Sequence, residues 1–234
     1  MQLQYGFLPL AAVFLALTGC GGGSDEQEAV CFDNALYVEN AQVKLTYERS
    51  GALSGKESWS STVTSVNATL DGVSGLVTRR EERTPEGSST NHTFRTERLL
   101  APGVMAQYEM TRYNSAAALL SAVTERYSPA FIDERAKLAV GQTATYRMQG
   151  ERTYTGPTGA PVTAALDDAV TVTFVGKENI QVPAGLYATC RYNAITQSTG
   201  NIVTQWVRRG VVVREESGGT VRSMVSGTFN GAPL

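Results

Sequence analysis

From Asn40 to the end of the chain, apolar and polar residues alternate with a period of two, and the alternation breaks at Gly- and Asp-containing turns about every 8–12 residues. Val43, Leu45 and Tyr47 alternate with Gln42, Lys44 and Thr46, and the run stops at Ser50-Gly51. Successive side chains of a strand point to opposite faces, so such a segment buries one face and wets the other. The chain of 234 residues carries 26 Thr and 23 Val, β-branched residues that suit a pleated surface. Residues 58–66 and 75–84 flank a turn at Asp71-Gly72, and Thr84-Pro85-Glu86-Gly87 turns the chain again. A late strand places Leu186, Ala188, Cys190, Tyr192 and Ala194 on one face, so that Cys190 points inward. The pattern predicts an all-β, mainly antiparallel fold, a curved sheet or open barrel of about 10–12 strands in a single domain over residues 31–234.

One segment departs from period two. Asn114-Ser115 can cap a short helix over residues 116–127, with Leu119, Leu120, Val123 and Tyr127 on one face and Ser128-Pro129 ending it. The alternative is an insertion, or a strand on an antiparallel edge.

The N-terminus reads as an address. Residues 6–17 are uncharged and mostly apolar, too short a run for a spanning helix, which takes about 20. They close with Leu17-Thr18-Gly19-Cys20, which resembles the lipobox of bacterial lipoproteins, although residues 1–5 lack the usual Lys or Arg. The resemblance implies a type II signal peptide over residues 1–19, cleavage before Cys20 and a diacylglyceryl group on its thiol. Gly21 rather than Asp after the Cys resembles the sorting pattern for the outer membrane, facing the periplasm. In residues 20–30, Cys20 is followed by three glycines and then an acidic run, a flexible tether with nothing to bury. Each acyl CH₂ is worth about 0.8 kcal/mol, so two or three chains anchor the domain to the membrane.

After lipidation, Cys31 and Cys190 remain. In an oxidising compartment an even pair predicts a disulfide, with two buried free thiols as the alternative. Two distant Cys and a single His cannot make a tetrahedral metal site, and no cofactor motif is found. The balance of 20 Lys+Arg against 22 Asp+Glu, net −2, excludes the basic excess of a nucleic-acid binder.

Catalytic patterns were sought and not found. His92 is the only His, in a polar stretch that reads as an exposed loop, and no Gly-x-Ser-x-Gly or Ser-x-x-Lys occurs. Glu81-Glu82, Asp167-Asp168 and Glu215-Glu216 read as solvated surface charge, Arg79-Arg80 and Arg208-Arg209 as edge charges, and Trp59 and Trp206 as core. Val182-Pro183-Ala184-Gly185 with Tyr187, then Trp206, Gly210-Val211-Val212 and Arg214-Glu215, resemble hairpins of bacterial envelope families of unassigned role. Those are similar in outline to lipoprotein carrier and receptor proteins, open β-barrels with an apolar concave face. No motif in this sequence carries over their lipid-binding role; the leading expectation is a non-enzymatic envelope domain whose concave apolar face binds a hydrophobic ligand or lipid. The alternative is a structural or assembly accessory docking on another envelope protein.

Cys20→Ser should abolish acylation and release the protein from membranes. Metabolic labelling with a fatty-acid probe reads this directly, and undiminished label in the variant would contradict the lipobox assignment.

Overall fold

The computed structural model describes residues 30–114, 121–156 and 159–234. The signal segment, Cys20 and most of the tether lie outside the described residues. Thirteen strands follow one another: β1 (Gln42–Gly51), β2 (Gly55–Leu70), β3 (Val73–Pro85), β4 (Asn91–Ala101), β5 (Val104–Asn114), β6 (Ala122–Asp133) and β7 (Thr143–Thr155). Then come β8 (Val162–Val182), β9 (Gly185–Thr196), β10 (Ile202–Arg208), β11 (Val211–Ser217), β12 (Thr220–Phe229) and β13 (Ala232–Pro233). Each strand pairs antiparallel with the next, and β1 also pairs with β12. The sheet is therefore a closed twelve-stranded up-and-down barrel, where the alternation had left an open barrel or curved sheet possible.

Local chemistry explains the meander. Asp71 and Gly72 take φ of 49° and 82°, and Arg209 and Gly210 take 50° and 81°. Positive φ at both central residues is the two-residue hairpin turn whose twist matches its strands. The β8–β9 hairpin turns through Pro183-Ala184 between the paired residues Val182 and Gly185, as the sequence indicated. The many threonines stand in cross-strand hydroxyl pairs: Thr143–Thr173 at 2.8 Å, Thr145–Thr171 at 3.0 Å and Thr153–Thr163 at 2.9 Å, all exposed. With Lys44 and Glu48 on β1 and Arg80 on β3 also exposed, the outer wall is wet. It is unlike the lipid-facing apolar band of a membrane-spanning barrel.

The expected helix is not formed where it can be seen. Residues 122–127 belong to β6, which sits between β5 and β7 and bonds to both, while residues 115–120 lie outside the described residues. In residues 122–127, Val123, Thr124 and Tyr127 are β-branched or aromatic, and ladders on both sides hold them as strand. Ser128-Pro129 does not end the element. It falls where the β5–β6 register shifts and the β6–β7 pairing stops at Tyr127 and Gly150, so the missing Pro donor disturbs no ladder bond.

One end of the barrel is plugged. Cys31 and Cys190 form a disulfide with Cα atoms 5.4 Å apart, closing a separation of 159 residues. In the chain-entropy model that loop contributes about 5 kcal/mol. The N-terminal segment docks further through Gly210 N donating to Cys31 O at 3.0 Å and Arg209 Nε donating to Asp33 Oδ2 at 2.7 Å. Asp33 caps a 3-10 turn at Asn34–Tyr37 by accepting from Ala35 N at 2.9 Å, and Leu36 on that turn is buried against Val211 and neighbours. Arg208 lies over the Tyr187 ring at 5.4 Å. The Arg208-Arg209 pair thus holds the plug and its surroundings and guards no edge, because a closed barrel has none.

Gly150 marks the tightest point of the wall. Its φ is +143°, and a Cβ there would stand 1.9 Å from Arg126 O. Gly150→Ala should cost about 2–4 kcal/mol through strain and displaced backbone. Gly156→Ala, with open space around it, should stay within about 0.5 kcal/mol. Denaturant melts of the two variants give the comparison, and equal losses would contradict it.

Candidate functional site

Parity along the strands decides what fills the tube. On β1 the buried face runs Val43, Leu45, Tyr47 and then Arg49. Their cross-strand partners on β2 are Ser61, Trp59, Glu57 and Gly55, and Glu57 is 1% exposed. On β3 the same face carries Arg79 and Glu81, while Arg80 and Glu82 turn outward and pair with each other. Glu215 faces inward beside Arg222, and Glu216 turns away to Arg214 at 2.6 Å. The Arg79-Arg80, Glu81-Glu82 and Glu215-Glu216 charges, expected on the surface or at an edge, are therefore split, one of each pair facing inward.

Two cross-strand registers place like charges side by side. Arg49 stands opposite Arg222, and Arg79 opposite Arg95. Facing arginines repel unless an anion bridges them. Glu57 answers the first pair: its Oε1 lies 2.8 Å from Arg222 Nη1, and its Oε2 lies 2.9 Å from Arg83 Nε and 3.9 Å from Arg49 Nη1. Arg222 also reaches Glu215 Oε2 at 3.2 Å and covers the Tyr47 ring at 4.4 Å. The second pair is answered by Glu97, 2.7 Å from Arg79 Nη2, and Glu81, 3.1 Å from Arg95 Nε. Burial would raise the Glu81 carboxyl, but Arg95 and Arg79 hold it below its ordinary value.

From Arg95 the network continues round the wall. Arg95 Nη1 donates to Gln107 Oε1 at 3.0 Å, Gln107 Nε2 to Tyr127 Oη at 3.2 Å, and Tyr127 Oη to Glu125 Oε2 at 2.9 Å. Arg112 and Arg152 then share Glu125 Oε1, at 3.1 and 2.8 Å. The result is a charged belt from β3 to β7 inside a tube whose remaining lining is apolar and aromatic.

Inside the belt is a lumen cavity of about 380 Å³, lined on its apolar side by Leu45, Trp59, Met105, Phe131, Tyr192 and Val207. Its plugged end is closed by Phe32 and Tyr37, stacked at 5.5 Å, and by Arg135 and Ala136 of the 3-10 turn Arg135–Lys137. Burial pushes the Tyr37 hydroxyl up to about 12. At the other end is a mouth of about 680 Å³ lined by Arg49, Arg83, Arg112, Arg222, Trp59 and Tyr113, among others. The two spaces share Trp59, Glu81, Arg95 and Arg222, so the lumen opens towards the mouth.

The concave face is thus not the apolar surface anticipated. His92 is not in an exposed loop either: it lies on β4, stacked on Tyr113 at 4.7 Å, with Nδ1 3.4 Å from Glu82 Oε1. Asp167 pairs with Arg147 at 3.1 Å on the surface. Asp168 accepts from Ala169 N at 2.7 Å and Ser198 N at 3.0 Å, fastening the β9–β10 turn. Trp206 is buried between Arg191 and Arg214 and donates to Glu178 Oε1, so it packs as expected, whereas Trp59 lines both lumen and mouth. Cys190 points inward and is bonded to Cys31, but Leu186, expected on the same face, is exposed, because it lies at the start of β9, beside the turn and past the β8–β9 register shift at Phe174–Gly176; Cys20 lies outside the described residues. Among the described residues no group of His, Cys, Asp and Glu could hold a metal ion. The residues that form the belt, Glu57, Arg95, Glu125 and Arg222 above all, were not singled out from sequence. Their signal was available as a charge falling on the apolar parity of a strand.

By its fold the chain is a closed antiparallel β-barrel with a charged lumen. No protein-family model and no curated protein matches it. Among solved structures it is similar to a β-barrel-like protein of domain of unknown function DUF1849 from Brucella abortus, at 10% identity and a TM-score of 0.34, over 82% of this chain and 99% of that one.

Glu57→Gln should destabilise the barrel by about 3–5 kcal/mol, because it leaves Arg49, Arg83 and Arg222 crowded without their shared anion. Glu216→Gln, on the outer wall, should change stability by about 0.5 kcal/mol or less. Thermal melts of both variants are the check, and a silent Glu57 substitution would mean the cluster does not hold the wall together.

Proposed function

We propose that this chain is a non-enzymatic binding barrel of the bacterial cell envelope, anchored through lipid on Cys20 and facing the periplasm from the outer membrane, whose lumen takes a hydrophobic ligand or lipid. The observation that carries the reading is the lumen cavity of about 380 Å³, which has aromatic and aliphatic side chains on one side and the charged belt on the other, and shares part of its wall with a wider mouth. Cavities of about 300–1,000 Å³ with a few placed polar groups are the usual form of a ligand site.

Three further features support it. The mouth shares Trp59, Glu81, Arg95 and Arg222 with the lumen, and the chain enters the barrel at Val30, at the opposite end, so the anchor does not obstruct the mouth. The outer wall is polar, so attachment to a membrane falls to the lipid and not to the barrel. The lumen carboxylates Glu57, Glu81 and Glu125 are each engaged by arginine, which suits binding better than proton transfer.

Native mass spectrometry of the full chain, purified from the membrane fraction in mild detergent, tests the reading. One copurified lipid or apolar molecule per barrel, in addition to the covalent acyl groups, is the expected result. A mass equal to the acylated polypeptide alone in every preparation would overturn it.

A further inference from the structure

We propose that the mouth of the barrel is a binding site for a phosphate or carboxylate group, held by Arg49, Arg83, Arg112 and Arg222. The proposal rests on the lumen being a ligand site and names the chemistry of the part of the ligand that stays at the entrance.

The first argument is charge. Arg49, Arg83 and Arg222 share Glu57 and Glu215, and Arg112 and Arg152 share one oxygen of Glu125. Each cluster has one more guanidinium than carboxylate, and arginine cannot shed its proton to relieve the excess. Glu81 and Glu82 also line the mouth, but each already has arginine beside it, Arg79 and Arg95 at Glu81 and Arg80 at Glu82. Arg49 and Arg83 of the first cluster and Arg112 of the second line one cavity, so the surplus positive charge is concentrated at the mouth.

The second argument is unmet hydrogen bonding. The Nε–H groups of Arg49 and Arg222 are buried and have no partner among the described residues, and both side chains line the mouth. Arg49 is 9% exposed and lies 3.9 Å from the nearest Glu57 oxygen, leaving it the least compensated cation of its cluster. Buried donors are nearly always met by a partner, and an oxyanion meets several guanidinium donors at once.

The third argument is position. Trp59 borders both mouth and lumen, so a ligand with its anionic group among the arginines can lay an apolar body along Trp59 towards Met105, Phe131 and Val207. An amphiphile with an anionic head satisfies both spaces, and a free anion satisfies only the mouth.

Calorimetric titration of the full chain in a nonionic maltoside detergent separates these cases with three probes: octyl phosphate, 1-octanol and inorganic phosphate. Arg83→Gln and Arg112→Gln are the test variants, because these side chains are 44% and 50% exposed and their carboxylates keep another arginine each. Arg147→Gln, in a pair on the outer surface, is the control. Octyl phosphate should bind at least about tenfold more tightly than octanol, and should lose about tenfold in each test variant and nothing in the control, as expected for a charge-assisted hydrogen bond. Equal binding of octyl phosphate and octanol, indifferent to both substitutions, would overturn the anion site and leave the lumen reading standing. Inorganic phosphate binding as tightly as octyl phosphate, with the same arginine dependence, would support the anion site with a free anion as its source and remove the apolar body. Binding of none of the three would overturn both readings.

Discussion

The ladder between β1 and β12 is the bond on which everything else depends. It converts a sheet with two edges into a tube with none, and from that point every residue is either inside or outside. Its register also decides the interior chemistry, because it sets Arg49 opposite Arg222. A shift of one residue would send the inward side chains of one strand to the solvent face. The closure is tolerable only because Glu57, on the neighbouring strand β2, stands where it can answer both arginines. Topology and electrostatics are therefore one constraint here.

What could be read from the sequence was whatever is local. Alternation through Val43, Leu45 and Tyr47, the Asp71-Gly72 turn and the inward parity of Cys190 are all decided within a few residues, and the structure shows each of them. Residues 122–127 defeated the same logic because the sequence joins them to the Ala- and Leu-rich stretch before them at helical spacing, and only the flanking β5 and β7 decide that they are strand. The belt was harder still. Glu57 and Arg222 are 165 residues apart, and nothing near either announces the other. Assigning charged pairs to the surface is sound for an open sheet, where one face is a dry core. It fails in a tube, whose inner face lets carboxylates and guanidiniums meet across strands. Val77, Arg79 and Glu81 share a parity, and that run of charge on a buried face was the legible clue.

The two ends of the barrel are built for different tasks. At one end, covalent and hydrogen bonds from Cys31, Asp33 and Val30 fasten the incoming chain to β9 and to the β10–β11 turn, and aromatic rings fill the opening. At the other end the strands finish in arginines around open space. A tube closed at both ends would exclude ligand, and one open at both ends would hold its contents poorly. Any pull on the chain ahead of Cys31 reaches the barrel at the disulfide.

Stability alone does not explain the arginines. Replacing buried ion pairs by well-packed apolar groups of similar volume is often neutral or stabilising, so a barrel selected only to fold would fill its centre with side chains like Leu45 and Val207. This one instead keeps a cavity and lines it with guanidiniums that outnumber their carboxylates where the cavity opens. The pairing with Glu57, Glu81, Glu97 and Glu125 reduces the cost of burying those cations without cancelling their charge at the mouth. Partial compensation has a physical consequence that full compensation would lack. The arginines are held in fixed directions by their existing partners, so an arriving anion meets donors already oriented and pays little ordering entropy. The same carboxylates that make the wall stable thus prepare the mouth to receive an anion.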